Sequence, residues 1–157
     1  MSTVLSSGLK DRIAALAVRY PRKQAALLPA LHWIQDENGF IAPEAERDLA
    51  ALLEIKPIQV REAVAFYTMF HRRPMGRYHV QVCDNLSCDI RGGATVLARL
   101  QERLGIGPGE TTADGKFTLT TVECLGACEK APCLMINFDY HGSLDPDRVD
   151  RLLESLE

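Results

Sequence analysis

Cys83-x4-Cys88 and Cys124-x3-Cys128 are two pairs of thiols on short spacers, with 35 residues between the pairs. Thiolates are soft ligands, so two loops that each present two of them can enclose an iron-sulfur cluster once the fold brings the loops together. A tetrahedral zinc site is the alternative, because zinc also takes four cysteines. Structural zinc motifs often use C-x2-C knuckles, and the x4 and x3 spacers beside strands point instead to a cluster. A plant-type ferredoxin would need a third cysteine two residues after the x4 pair, and none is there.

Cys133 follows Pro132 at the start of a strand pattern and reads as a small buried cysteine rather than a ligand. The sequence leaves the isomer of Pro132 open. Gly92 and Gly93 after the first pair, and Gly126 inside the second, stand where backbone must approach sulfur. Arg91 reads as a solvated arginine at a helix start. His32, His71, His79 and His141 show no metal-ligand pairing, and no histidine lies in the cysteine loops, as a Rieske centre would require. There is no Ser-His-Asp order, P-loop or G-x-G-x-x-G, so the chain has no nucleotide site of its own and no catalytic residue is assigned.

The elements that must position these thiols follow from periodicity. Helical spacing dominates up to about residue 70. A helix is expected from about Leu9 to Arg19, and another carries Leu27, Leu31 and Ile34 and stops at Asn38-Gly39. A third starts at Pro43, with Glu44 and Glu46 in its first turn and a stripe of Leu49, Leu52 and Leu53; a fourth starts at Pro57 with Val60, Val64 and Tyr67. Together they predict a small bundle.

The polar, breaker-rich segment His71 to Gly76 marks a boundary, giving domains of 1–73 and 74–157. Beyond it, Tyr78, Val80 and Val82 alternate into Cys83, residues 93 to 104 return to helical spacing, and Phe117 to Val122 and Leu134 to Ile136 read as strands. A hairpin through Asp139 to Gly142 and a helix opened by Asp145-Pro146 complete an order that resembles a thioredoxin-like layer of helices on a small mixed sheet. If the strands leading to Cys83 and Cys124 are parallel neighbours, both cysteine loops leave one end of the sheet.

Composition narrows the function classes. Charged residues make up 25% with a net charge of -3 and no long basic run, which argues against a nucleic-acid partner. The apolar run Ile13 to Val18 is too short for a signal-peptide core, and nothing approaches a membrane span. The expectation is a soluble, unexported protein, in whose reducing surroundings cysteines at ligand spacing hold metal rather than disulfides.

Three motifs together, Phe66-Tyr67-Thr68-Met69-Phe70, Val82-Cys83-Asp84-Asn85-Leu86-Ser87-Cys88 with Arg91-Gly92-Gly93, and Glu123-Cys124-Leu125-Gly126-Ala127-Cys128 with Ala131-Pro132, resemble the 2Fe-2S subunit of the NADH-dehydrogenase module of respiratory complex I. The similarity extends to Leu28-Pro29-Ala30-Leu31 and Gly39-Phe40-Ile41 in the helical half. The resemblance implies an α+β chain, an N-terminal helical bundle followed by a thioredoxin-like 2Fe-2S ferredoxin domain. It also implies one cluster on Cys83, Cys88, Cys124 and Cys128, and a flavoprotein partner that binds FMN and NADH. The expected role is electron transfer in an NADH:quinone oxidoreductase, with further complex I subunits as partners and a cytoplasmic place peripheral to the inner membrane. NAD-linked formate dehydrogenases and bidirectional hydrogenases contain related subunits, and a zinc-stabilised interaction module is the reading from a different class. The run Lys130-Ala131-Pro132-Cys133 departs from the family pattern, in which an apolar residue usually follows the proline.

Overall fold

The structure, a computed structural model, describes residues 5–156. It divides into two compact units, with the boundary between Pro74 and Met75.

The first unit is helical. Helix α1 (Ser7–Ala17) starts two residues earlier than periodicity predicts, because the Ser6 hydroxyl accepts from the Leu9 amide and caps the first turn. Helix α2 (Leu27–Asn38) ends at Gly39, whose φ of 79° supplies the left-handed cap that the Asn-Gly stop implies. Helices α3 (Pro43–Leu53) and α4 (Pro57–Phe66) both open on proline in the first turn. Leu9, Ile13, Leu31, Ile34, Leu49, Leu53, Val60 and Val64 form one apolar core, while Leu52 is only half-buried at its edge. Glu46 lies in the first turn of α3 as expected, and it is also buried, with its carboxylate accepting from Arg61 at 2.6 Å. Trp33 packs on this core with the Arg12 guanidinium 4.5 Å above its ring.

The second unit is a four-stranded mixed sheet in the order β2-β1-β3-β4. Strand β1 (Tyr78–Cys83) pairs in parallel with β2 (Phe117–Val122) and antiparallel with β3 (Leu134–Ile136), which pairs antiparallel with β4 (Asp139–His141). A parallel pair needs a crossover, supplied here by α5 (Leu86–Ile90) and α6 (Gly93–Leu104). Helix α7 (Pro146–Glu154) is capped by the Asp145 carboxylate, which accepts from the Arg148 amide at 2.7 Å.

Val80, Val82, Val96, Leu100, Leu119, Leu134 and Val149 form the core of this unit. Asp150 on α7 accepts from Arg99 at 2.9 and 2.6 Å and from Arg103 at 2.7 Å, tying α7 to α6. The expected α+β class, helices first and then a thioredoxin-like sheet, is what the chain adopts. Among the described residues, periodicity does not predict the five-residue helix α5, which places Cys88 on a helix rather than in a connection, nor the 3-10 turns Lys23–Ala26 and Cys128–Lys130, the second of which opens at Cys128.

Candidate metal centre

The two cysteine loops leave the same end of the sheet. In the parallel register Cys83 stands beside Val122, so the segment after β2 passes the last residue of β1. The Cys83 Sγ lies 3.6 Å from the Glu123 carbonyl oxygen, and the Asp84 amide donates to the Val122 carbonyl at 3.0 Å. The second loop is therefore held against the first by backbone.

Each thiol has a different setting. Cys83 ends β1 and is buried; Cys88 faces inward from α5 and is buried; Cys124 and Cys128 are exposed. Gly93 makes the Cys88 position possible, since a Cβ there would sit 2.8 Å from the Cys88 carbonyl oxygen. In the second loop Gly126 has a φ of 75° and its amide donates to the Cys124 Sγ at 3.4 Å.

The structure also brings in a thiol that spacing does not single out. Antiparallel pairing of Val82 with Leu134 sets Cys133 beside Cys83, whose amide donates to the Cys133 carbonyl at 3.2 Å. The Sγ atoms of Cys83, Cys88 and Cys133 all lie within 4.8 Å of one another, and Cys88 and Cys133 are 3.7 Å apart. Cys124 and Cys128 are not part of that group. Cys133 is buried, as the sequence implies.

Arg91 is exposed, as the sequence implies, and its Nε in addition donates to the Ala131 carbonyl at 2.9 Å. That bond links the turn after α5 to the Ala131-Pro132 peptide, which is cis. The histidines stay outside the centre as expected; His79 Nε2 pairs with Thr120 Oγ1 at 2.8 Å and His32 stacks edgewise on Phe70.

Burial acts to raise the Cys83 thiol, but the backbone amides of Asn85 and Leu125 and the thiols of Cys88 and Cys133 outweigh it and hold Cys83 below the usual thiol range. Cys88 is raised, first by burial and then by its contact with Cys83. Burial, reinforced by Cys88, pushes Cys133 up to about 12. Amides aimed at Cys83 from both loops are what an anionic sulfur ligand needs, and the donors are all soft sulfur. These residues fit a thiolate-held iron-sulfur cluster.

Such a centre on a mixed sheet wound by helices defines an iron-sulfur protein of thioredoxin-like class. The chain belongs to the family described as "Thioredoxin-like [2Fe-2S] ferredoxin", whose model matches residues 13–157. It is 48% identical over 147 residues to an NADH-quinone oxidoreductase subunit of Rhizobium meliloti (strain 1021), covering 94% of this chain and 88% of that protein. It is 41% identical to an NADH-quinone oxidoreductase subunit of Mycobacterium tuberculosis (strain ATCC 25618 / H37Rv), covering 88% of this chain and 55% of that longer protein.

Among solved structures, a NAD+-reducing [NiFe]-hydrogenase in the air-oxidized state aligns with a TM-score of 0.70 at 27% identity, over 83% of this chain and 22% of the hydrogenase chain. The cofactor of this family is a 2Fe-2S cluster. That finding sets aside the reading of a zinc-stabilised interaction module.

Proposed function

We propose that this chain is the electron-transfer subunit of an NADH:quinone oxidoreductase, carrying one 2Fe-2S cluster on Cys83, Cys88, Cys124 and Cys128 beside the flavin of a partner protein. In this reading residues 1–73 form the bundle domain and residues 74–157 the cluster domain. The observation that carries it is the convergence of both cysteine loops at one end of the β1–β2 pair, where the Cys83 Sγ meets the Glu123 carbonyl at 3.6 Å and the Asp84 amide donates to the Val122 carbonyl at 3.0 Å. Its parent enzyme follows from the greater likeness to the NADH-quinone oxidoreductase subunits, at 41% and 48% identity, than to the hydrogenase at 27%.

When bound, the cluster supplies one-electron uptake and release. The protein's part is to hold and shield it. Cys83 and Cys88 provide two ligands from a rigid strand end and helix, and the exposed Cys124 and Cys128 provide two from the outer loop. NADH delivers a hydride, so a flavin must stand between the nucleotide and a one-electron carrier, and this chain has no dinucleotide fingerprint to hold either. Leu86 and Ile90, 68% and 74% exposed, flank Cys88 on α5 and offer apolar surface beside the cluster for the flavoprotein. Among the described residues no helix is long and apolar enough to cross a membrane. In this reading, attachment to the inner membrane is through other subunits of the complex.

The test is reduction by NADH. The purified chain should be inert toward NADH, and addition of the FMN-binding protein should make flavin reduction, followed by cluster reduction, visible by absorption and EPR. Rapid reduction of the cluster by NADH in the single chain without flavin would overturn the proposal.

A further inference from the structure

We propose that Cys133 is a positioning residue that donates an S–H hydrogen bond to the Sγ of Cys88 and so raises the reduction potential of the cluster. The inference rests on the ligand set proposed above and concerns a residue outside it.

The geometry is a 3.7 Å contact between two buried sulfurs, in which either atom is free to donate while both are thiols. Metal binding removes that freedom. A ligand cysteine is a thiolate, with no proton to give, so Cys133 becomes the donor and Cys88 the acceptor. The donor is fixed from three directions. Its carbonyl accepts the Cys83 amide at 3.2 Å, the residue after it pairs with Val82 across β1 and β3, and the Ala131 carbonyl is held by Arg91 at 2.9 Å. Arg91 lies three residues beyond Cys88, so one guanidinium ties the donor's segment to the acceptor's helix.

Burial removes water as a competing donor; Cys88 is 1% and Cys133 2% exposed. Reduction adds one negative charge to the centre, so a donor to a ligand sulfur stabilises the reduced state more than the oxidised one and moves the potential upward. An S–H group is a weak donor, and the effect is correspondingly modest.

The experiment compares the purified, cluster-loaded chain with its Cys133→Ala and Cys133→Ser variants by iron content, EPR-monitored redox titration, and exchangeable-proton coupling in H2O against D2O. Cys133→Ala should keep its iron, shift to a more negative midpoint potential and lose an exchangeable proton coupling seen in the wild type. Cys133→Ser, which keeps a donor, should recover part of the shift. A full complement of iron with an unchanged potential in Cys133→Ala would overturn the hydrogen bond and leave the ligand set standing. Loss of the cluster in both Cys133 variants, with Cys128→Ala still loaded, would overturn the ligand set as well and make Cys133 a ligand. Wild-type protein without a coupling that D2O removes would also contradict the proposal, whatever the variants do.

Discussion

The two cysteine pairs have the same donors and nearly the same spacing, yet the fold treats them differently. Cys83 and Cys88 sit on a strand end and a helix and are buried; Cys124 and Cys128 lie on the connection after β2 and are exposed. The first pair is placed by sheet register and by the close approach of Gly93, before any metal is present. The second is placed by a loop whose ties to the first are a few backbone contacts at Glu123 and Leu125. In the proposed ligand set, two positions are thus preorganised by secondary structure, and the other two would depend on the cluster to draw them in.

The largest expected effect treats the pairs alike. Cys83→Ala, Cys88→Ala, Cys124→Ala and Cys128→Ala should each abolish or severely deplete the cluster, read as lost visible absorption and EPR signal, because each opens an iron coordination position. Retention of a normal spectrum by either outer-loop variant would break the equivalence. The next effects separate the pairs. Gly93→Ala should destabilise the second unit by about 1–3 kcal/mol in urea unfolding, because its Cβ meets the Cys88 backbone at 2.8 Å. Gly126→Ala has open space around it and only its positive φ to satisfy, so about 1 kcal/mol is expected.

In the cluster-free chain Cys88→Ala should cost about 1 kcal/mol as a buried deletion, whereas Cys124→Ala should stay within about 0.5 kcal/mol. Equal losses would mean that the outer loop is packed as firmly as the inner one.

The smallest effect lies away from the centre. The hydrogen bond from Arg99 leads in holding the Asp150 carboxyl below the usual range, with Arg103 adding to it. A depressed folded pKa gives stability that is fully present above about 4, the value in the unfolded chain, and is lost as pH falls through the lower folded value. Asp150→Asn should therefore flatten the acid limb of thermal stability and leave the neutral-pH spectrum of the cluster unchanged.

Much of this arrangement is legible in the sequence where periodicity or a breaker is strong. Residues 93 to 104 read as a helix from Val96, Leu97 and Leu100, and the structure has α6 there; the alternation of Tyr78, Val80 and Val82 reads as the strand that ends at Cys83. Helix α5 is not legible, because five residues span little more than one turn and leave no repeat to detect. Cys133 is legible as a buried residue but not as a neighbour of Cys88, since that proximity comes from the register of β3 against β1 across 45 residues of sequence. The bond that the exposed Arg91 makes is not legible for the same reason: its acceptor, the Ala131 carbonyl, is 40 residues away and belongs to the backbone, where side-chain patterns carry no signal.

The central claim is that the two pairs together hold one 2Fe-2S cluster. Iron and acid-labile sulfide measured on the anaerobically purified chain, with EPR of the dithionite-reduced protein, tests it most directly. The account predicts about two iron and about two sulfide per chain and a single spin-half signal. Zinc at about one per chain, with neither iron nor sulfide, would contradict it.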